Sequence, residues 1–243
     1  MTRLIHISLL LMTLAGCATS NDEAKIIVDQ AIKAHGGDQF DHMVLEFDFR
    51  NRHYIAERKD GVFQYHRIWR DSTGQYHDIL YNEGFTRTLN GDTVNLSDKD
   101  RQKYSNSVNS VIYFALLPYG LNDRAVNKYV EGNVTIAGES YFQVKVNFDK
   151  EGGGQDYDDE FLYWFHAETK KLDYLAYLYH VDEGGIRFRA VTNRHRAGDL
   201  ILNDYDNYKV EGLDTPLEQL PQMYEQGKLE KLSEIDLKNV VLK

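Results

Sequence analysis

The chain has 243 residues, 42% of them hydrophobic, and its 17 Tyr, 11 Phe and 2 Trp can fill a sizeable core. With three prolines and no linker-like stretch, a single domain is favoured over two. The net charge of −10 disfavours nucleic acid and anionic lipid surfaces as partners, and a lone cysteine excludes an internal disulfide.

The first sixteen residues have the features of a lipoprotein signal peptide. Arg3 precedes an apolar run, Leu4–Met12, that is too short to cross a bilayer as a helix. The Leu-Ala-Gly-Cys stretch that ends at Cys17 resembles a bacterial lipobox, which implies cleavage after residue 16 and lipidation of Cys17. More than one acyl chain would make this anchoring stable. Ala18 favours the outer membrane by resemblance to the usual sorting rule; an ordinary secretory signal is the alternative.

The mature chain is predicted to begin with a lipidated tether, residues 17–22, followed by one folded domain over residues 23–243. An amphipathic helix is expected from about Asp22 to His35, because the apolar positions recur at helical spacing. Gly36 and Gly37 end it. Its apolar face contains Ala24, Ile27, Val28, Ala31 and His35.

A β-meander is predicted next, since the apolar period changes to two over Met43–Phe49. Asp60-Gly61 and Asn90-Gly91 each separate two strand-like runs by two residues of the type that forms tight hairpins. Neighbouring strands of this half of the chain should therefore pair with one another.

A second helix is predicted between the two β-rich halves of the chain. Ser97 and Asp100 resemble a capping box, and Pro118 and Gly120 end the helix. A strongly apolar helix set among antiparallel strands is expected to fill a concave sheet. Its main apolar face contains Val108, Val111, Ile112 and Ala115, and Tyr113, Phe114 and Leu117 lie partly off that face.

The second half of the chain reads as aromatic strands, a short helix over Pro216–Gln226 and a late edge strand from Leu232 to Val240. The strand Phe161–His166 is apolar on both faces, so both faces must be covered, either by other elements or by a ligand. A Tyr-rich lining would suit an amphipathic ligand. The residues predicted to line such a pocket are Ile112, Tyr113, Leu116, Phe142, Val144, Tyr163, Trp164, Phe165, Tyr174 and Tyr177.

Signatures of catalysis are not found in the sequence. The histidines are scattered without metal-ligand spacing, and no phosphate loop, dinucleotide fingerprint or nucleophile elbow occurs. The acidic residues Asp156, Asp158, Asp159 and Glu160 could attract a hard cation, but the spacing lacks the glycine and distal glutamate of an EF-hand loop. A solvated loop is the favoured interpretation. We assign no catalytic residue, metal ligand or cofactor.

Several stretches resemble known families. The Ala-Ile-Lys-Ala-His-Gly-Gly stretch over residues 31–37, followed by a meander, resembles the LolA/LolB-like periplasmic superfamily. Residues 80–85, 109–123, 163–165 and 172–177 are similar to an uncharacterised family of Bacteroidetes lipoproteins, DUF6503. The resemblance implies a mainly β, α+β fold: an antiparallel incomplete β-barrel whose concave face is plugged by helices and cradles acyl chains.

These observations predict a membrane-anchored periplasmic lipoprotein that binds a lipid or another hydrophobic ligand without catalysis. Two alternatives remain open at this point. In the first, the concave face is simply packed core and the protein is a scaffold of the cell envelope with partners that the sequence does not identify. In the second, the protein is an enzyme acting on lipid or glycan.

Overall fold

The computed structural model describes residues 20–151, 157–181 and 183–243. The predicted signal peptide, the lipidation site Cys17 and the candidate cation ligand Asp156 lie outside the described residues. Residues 20–22 of the predicted tether already belong to the first helix.

The described chain consists mostly of antiparallel strands. The α-helices are α1 Ser20–His35, α2 Asp98–Ala115 and α3 Leu220–Glu225, and short 3-10 helices cover Gly37–Asp41, Tyr119–Asn122 and Leu217–Gln219. The strands are β1 His42–Phe49, β2 Arg52–Lys59, β3 Val62–Asp71, β4 Gly74–Tyr81, β5 Gly84–Leu89, β6 Asp92–Thr93, β7 Val126–Ile136, β8 Glu139–Phe148, β9 Glu160–His166, β10 Leu172–Tyr179, β11 Gly185–Ala197, β12 Leu200–Val210, β13 Glu230–Ile235 and β14 Leu237–Leu242.

The strands form two seven-stranded sheets that are joined at one margin. The orders are β14-β1-β2-β3-β4-β5-β6 and β13-β12-β11-β10-β9-β8-β7. At the opposite margins of the described chain, β6 and β7 are not hydrogen-bonded to each other, so the barrel is open. This confirms the predicted antiparallel half-barrel with helices in its concave face.

The C-terminal segment differs from the predicted late edge strand. It forms two strands, β13 on β12 and β14 on β1, with only Asp236 between them. The buried carboxylate of Asp204 accepts a hydrogen bond from the Leu237 backbone N–H at 2.8 Å, which fixes the chain at the crossing. The alternation of apolar residues continues through this point, so the sequence does not show that the partner strand changes.

The two predicted hairpin turns are confirmed by their backbone angles. Asp60 and Gly61 have φ values of 51° and 82°, and Asn90 and Gly91 have 53° and 93°. Positive φ at both central residues is the type I′ geometry, which matches the twist of the flanking strands. Strand β7, in contrast, was not predicted, because a bulge between Val130 and Gly132 interrupts its alternation.

Helix α2 is held between the two sheets. The Ser97 side chain accepts a hydrogen bond from the Asp100 backbone N–H at 3.1 Å, which confirms the predicted N-cap. Its main apolar face packs against the first sheet, whereas Tyr113, Phe114 and Leu117 pack with the core of the second sheet. Helix α1 buries its apolar face against the second sheet. None of the helices in the described ranges is long and apolar enough to cross a membrane.

Strand β9 is covered on both faces. Phe161, Tyr163 and Phe165 face the concave side, where they pack in one cluster with apolar residues of α1. Leu162 and Trp164 face the convex side and pack with Leu217 and Leu220 of the segment Leu217–Glu225. Protein elements therefore account for both apolar faces of this strand.

His35 makes the stability of the fold depend on pH. Burial lowers the pKa of this side chain from 6.5 to about 4. Between these values the unfolded chain takes up a proton that the folded chain does not, so stability should fall as the pH drops from 6.5 to about 4 and change no further from this cause below that. At 1.36 kcal/mol per pKa unit the loss is about 3 kcal/mol. Urea denaturation across this pH range, compared with His35→Gln, would measure it.

The exposed His42 provides a matched control for this experiment. Its side chain is 55% exposed, so His42→Gln should keep the pH dependence of the wild-type chain. If the free energy of unfolding changed equally with pH in the wild type and in His35→Gln, the pH dependence could not be assigned to His35.

Candidate functional site

A cavity of about 210 Å³ lies between the C-terminal half of α2 and the junction of the two sheets. Helix α2 forms its roof, and strands β11 to β14 together with the end of β1 form its floor and walls. It is lined by Phe49, Arg50, Ser110, Val111, Phe114, Ala115, Arg189, Asn203, Tyr205, Asn207, Ser233, Ile235 and Leu237.

The cavity is apolar on one side and polar on the other. Phe49, Val111 and Leu237 belong to the core of the first sheet, and Phe114 and Ile235 to that of the second. The polar side consists of Arg189, Asn203 and Asn207 on β11 and β12, all of which are buried. The exposed residues Arg50 and Ser110 mark the mouth.

Arg189 is the cation inside the cavity. It is 8% exposed, and its guanidinium carbon lies 3.9 Å from the centre of the Phe114 ring. One Nη donates a hydrogen bond to the Tyr177 hydroxyl at 2.8 Å, whereas the buried Nε has no hydrogen-bond partner among the described residues. None of the described residues that line the cavity is acidic. The positive charge is therefore only partly compensated by the two aromatic rings.

Two asparagines on β12 contribute buried acceptors. Asn203 donates through Nδ2 to the Tyr205 hydroxyl at 3.2 Å and more weakly to the Leu172 carbonyl at 3.4 Å. Asn207 donates through Nδ2 to the Ser233 hydroxyl at 3.2 Å. In both amides Oδ1 is buried and has no partner within the described chain. Unsatisfied buried polar atoms cost about 1–3 kcal/mol each. Arg52, Arg58 and Arg194 also have a buried Nε without a partner in the described chain. What distinguishes Asn203, Asn207 and Arg189 from them is that they line a cavity.

The tyrosines around the cavity do not neutralise Arg189. Burial raises the pKa of Tyr205 to about 12, and it also raises the pKa values of Tyr113 and Tyr163. All three hydroxyls therefore stay protonated at neutral pH. The lining therefore carries the positive charge of Arg189, two asparagine side chains and the neutral hydroxyl of Tyr205.

None of the ten predicted pocket residues, all of which the structure describes, lines this cavity. Tyr177 holds Arg189, and Tyr113 packs against the edge of the Phe114 ring. Trp164 and Tyr174 lie on the convex side of the second sheet. The remaining predicted residues belong to the two concave clusters: Ile112, Leu116, Phe142, Val144, Tyr163 and Phe165.

The sequence interpretation did not select Arg189, Asn203 or Asn207. Nothing in the sequence marks them. Arg187 lies on the same face of β11 as Arg189. Asn203 and Asn207 share their face of β12 with Tyr205 and Lys209. Phe114, which was predicted to lie off the main face of α2, does line the cavity.

Two other depressions are less suited to an apolar chain. A polar cleft of about 910 Å³ next to the C-terminus of α1 is lined by the carboxylates of Asp29, Asp38, Asp41, Asp123 and Asp199. A groove of about 400 Å³ beside β1 to β3 is lined partly by long charged side chains, including Arg58, Lys59 and Lys243. The smaller cavity under α2 combines apolar walls with buried unpaired polar atoms.

Comparison with known protein families identifies the family of the chain. The family of unknown function DUF6503 matches residues 3–237. The chain belongs to the DUF6503 family. No protein with a curated description matches it.

Solved structures resemble this DUF6503 protein in fold. A DUF1329 family protein from Desulfovibrio piger is 13% identical, with a TM-score of 0.52 over 90% of this chain and 92% of that one. A LolA superfamily protein from Nitrosomonas europaea is 8% identical, with a TM-score of 0.52 over 89% and 92% of the two chains. At these identities the likeness shows the fold alone, and it confirms the LolA-like architecture.

Two of the candidate cation ligands of the DUF6503 chain stay together in the structure, and Glu160 turns away from them. Ligand atoms of Asp158, Asp159 and His180 lie within 4.8 Å of one another, and the sequence had not indicated His180. Glu160 instead forms an ion pair with Lys145 at 2.8 Å. Asp159 is buried, whereas Asp158 and His180 are exposed.

Proposed function

We propose that this protein is a cell-envelope lipoprotein, anchored through Cys17, that binds an amphipathic ligand under α2 without catalysis. The observation that supports the proposal is the cavity that joins apolar walls to a buried arginine with no carboxylate among its described lining residues. Ligand sites typically combine an apolar lining with a few convergent polar groups. The lipobox and the LolA-like fold are consistent with this function.

The volume of the cavity limits the ligand. At roughly 30 Å³ per non-hydrogen atom, about the volume of one water molecule in the liquid, 210 Å³ holds about seven such atoms. A sixteen-carbon acyl chain needs roughly 500 Å³ on this scale. A ligand with one chain therefore fits if its far end leaves through the mouth.

A scaffold with a packed core is less well supported. Packing accounts for most of the concave face, where α1 and α2 bury their apolar residues. It does not account for Arg189, Asn203 and Asn207, whose buried atoms would remain unsatisfied in a protein that binds nothing there.

Native mass spectrometry would test the binding function. The mature chain, residues 17–243 with Cys17→Ala, should be secreted with an ordinary cleavable signal peptide. It then carries no acyl group of its own that could occupy the cavity. A reproducible bound mass of one amphiphile is the expected result. A clean apo mass, with no stabilisation by added single-chain amphiphiles, would contradict the proposal.

The anchor requires a separate measurement. The intact mass of the natural protein extracted from membranes should include acyl groups on Cys17. An unmodified Cys17 would contradict the anchor without affecting the binding function.

A further inference from the structure

The charge of the cavity indicates which polar group a ligand should bring. Among the described residues of the lining, Arg189 and Arg50 are charged, and of these two only Arg189 is buried. A buried guanidinium without a carboxylate is strongly disfavoured unless another anion compensates for it. The Phe114 ring at 3.9 Å and the Tyr177 hydroxyl provide only neutral partners. An anionic oxygen on the ligand would supply the countercharge that the Arg189 guanidinium lacks among the described lining residues.

The amide oxygens require a different group. The amide nitrogen of Asn203 already faces two oxygen acceptors, the Tyr205 hydroxyl and the Leu172 carbonyl, so its Oδ1 is the end left without a partner. Asn207 also has a buried Oδ1 that finds no partner in the part of the chain that the structure describes. Carbonyl oxygens accept hydrogen bonds and would repel an anion, so they call for a donor such as a hydroxyl. The lining therefore matches a ligand that has both an anionic group and a hydroxyl.

The positions of the two arginines indicate the orientation of the ligand. Arg50 at the mouth is exposed, so water already solvates its charge and an ion pair there gains little. Arg189 is buried, so the same ion pair gains much more there. The polar end of the ligand should therefore lie inside, with its chain directed along the apolar wall formed by Phe49, Val111 and Leu237 toward the mouth.

We infer that the ligand is an anionic single-chain amphiphile, bound with its acid group inward against Arg189 and with a nearby hydroxyl on Asn203 or Asn207. This inference rests on the proposed binding function and specifies its ligand class. A hydroxylated fatty acid has this chemistry, and so does a lysophospholipid, whose phosphate takes the place of the carboxylate. Both sources share an anionic oxygen, a hydroxyl and one chain.

Calorimetric titration of the full mature chain, residues 17–243 with Cys17→Ala, would test the inference. The probes are octanoate, 3-hydroxyoctanoate, octyl phosphate and the neutral octan-1-ol. A charge-assisted hydrogen bond should make octanoate bind roughly ten- to a hundredfold more tightly than octan-1-ol. The hydroxy acid should bind several-fold more tightly again. The ratio of the affinities for octyl phosphate and octanoate distinguishes a phosphate ligand such as a lysophospholipid from a carboxylate ligand such as a fatty acid.

The strand offers a matched control for Arg189. Arg187 lies two positions away and donates to the Tyr179 hydroxyl at 2.6 Å, as Arg189 does to Tyr177, but it does not line the cavity. Arg189→Gln should reduce octanoate affinity to that of octan-1-ol, whereas Arg187→Gln should leave it unchanged. Arg189→Lys keeps the charge and should restore part of the preference, which separates loss of charge from damage to the fold.

Each result has a distinct meaning. Loss of the acid preference in Arg50→Gln but not in Arg189→Gln would overturn the inward orientation. Equal affinity for octanoate and octan-1-ol in the wild-type chain would overturn the anionic ligand and leave the binding function standing. Failure of all four probes to bind would instead count against the proposed function itself.

Discussion

Replacing Trp164 with alanine should lower the free energy of unfolding by about 3–5 kcal/mol, the usual cost of removing a large buried aromatic side chain. Trp164 has no exposed surface, and its indole N–H donates to the Gln143 side-chain oxygen at 3.0 Å. It packs beside Phe188 under the segment Leu217–Glu225. Because this face is opposite the cavity, octanoate affinity should not change. Urea denaturation and calorimetry on the same variant would measure both effects.

The chain's other tryptophan provides the comparison. Trp69 is partly exposed and stacks on Tyr76, with ring centroids 4.7 Å apart. Trp69→Ala should therefore destabilise the fold less than Trp164→Ala does. A folded Trp164→Ala variant that no longer binds octanoate would show that Trp164 belongs to the ligand site after all.

The contrast between the two faces of β9 shows what the sequence could predict. Alternation of two apolar sets along one strand requires cover on both sides, and this follows from local pattern alone. The local pattern does not show which element covers each face. Leu217–Glu225 reads only as a short helix, and its contact with Trp164 depends on how the second sheet curves. For the same reason Trp164 could be grouped with Tyr163 as a pocket residue, although the two side chains point in opposite directions.

Features that depend on a few neighbouring residues were predictable, such as the Ser97 cap and the Asn90-Gly91 turn. The cavity is different because its parts come from separate elements. Phe114 lies on α2 and Arg189 on β11, and only the closure of α2 over both sheets brings them together. A single polar residue in a strand gives no indication of whether it faces water or a cavity. The candidate site therefore required the structure.

A second large effect is expected at a buried charge cluster that fastens α2 to the first sheet. Asp78 has no exposed surface and accepts hydrogen bonds from two arginines on neighbouring strands. Arg67 donates through Nη2 at 2.6 Å and Arg87 through Nε at 2.6 Å. Arg67 also donates to the Ser107 hydroxyl of α2 at 2.6 Å. One carboxylate thus compensates two buried guanidiniums.

Asp78→Asn should lower the free energy of unfolding by about 3–5 kcal/mol, because it leaves two buried positive charges without a carboxylate. The exposed Asp92→Asn is the matched control, since it makes the same chemical change where water can solvate the loss. Urea denaturation of both variants would measure the difference. Similar stability in the two variants would contradict the role of the cluster.

The same variant should also change the dynamics of α2. Arg67 connects Asp78 to Ser107 of α2. Without the carboxylate the two arginines should repel each other, and this repulsion should loosen the attachment of α2 to the first sheet. Backbone amides of α2 should then exchange hydrogen faster in Asp78→Asn than in Asp92→Asn, while those of β9, which lies in the second sheet, should change less. Equal acceleration throughout the chain would indicate general destabilisation, whereas faster exchange confined to α2 would identify this cluster as what holds the roof of the cavity in place.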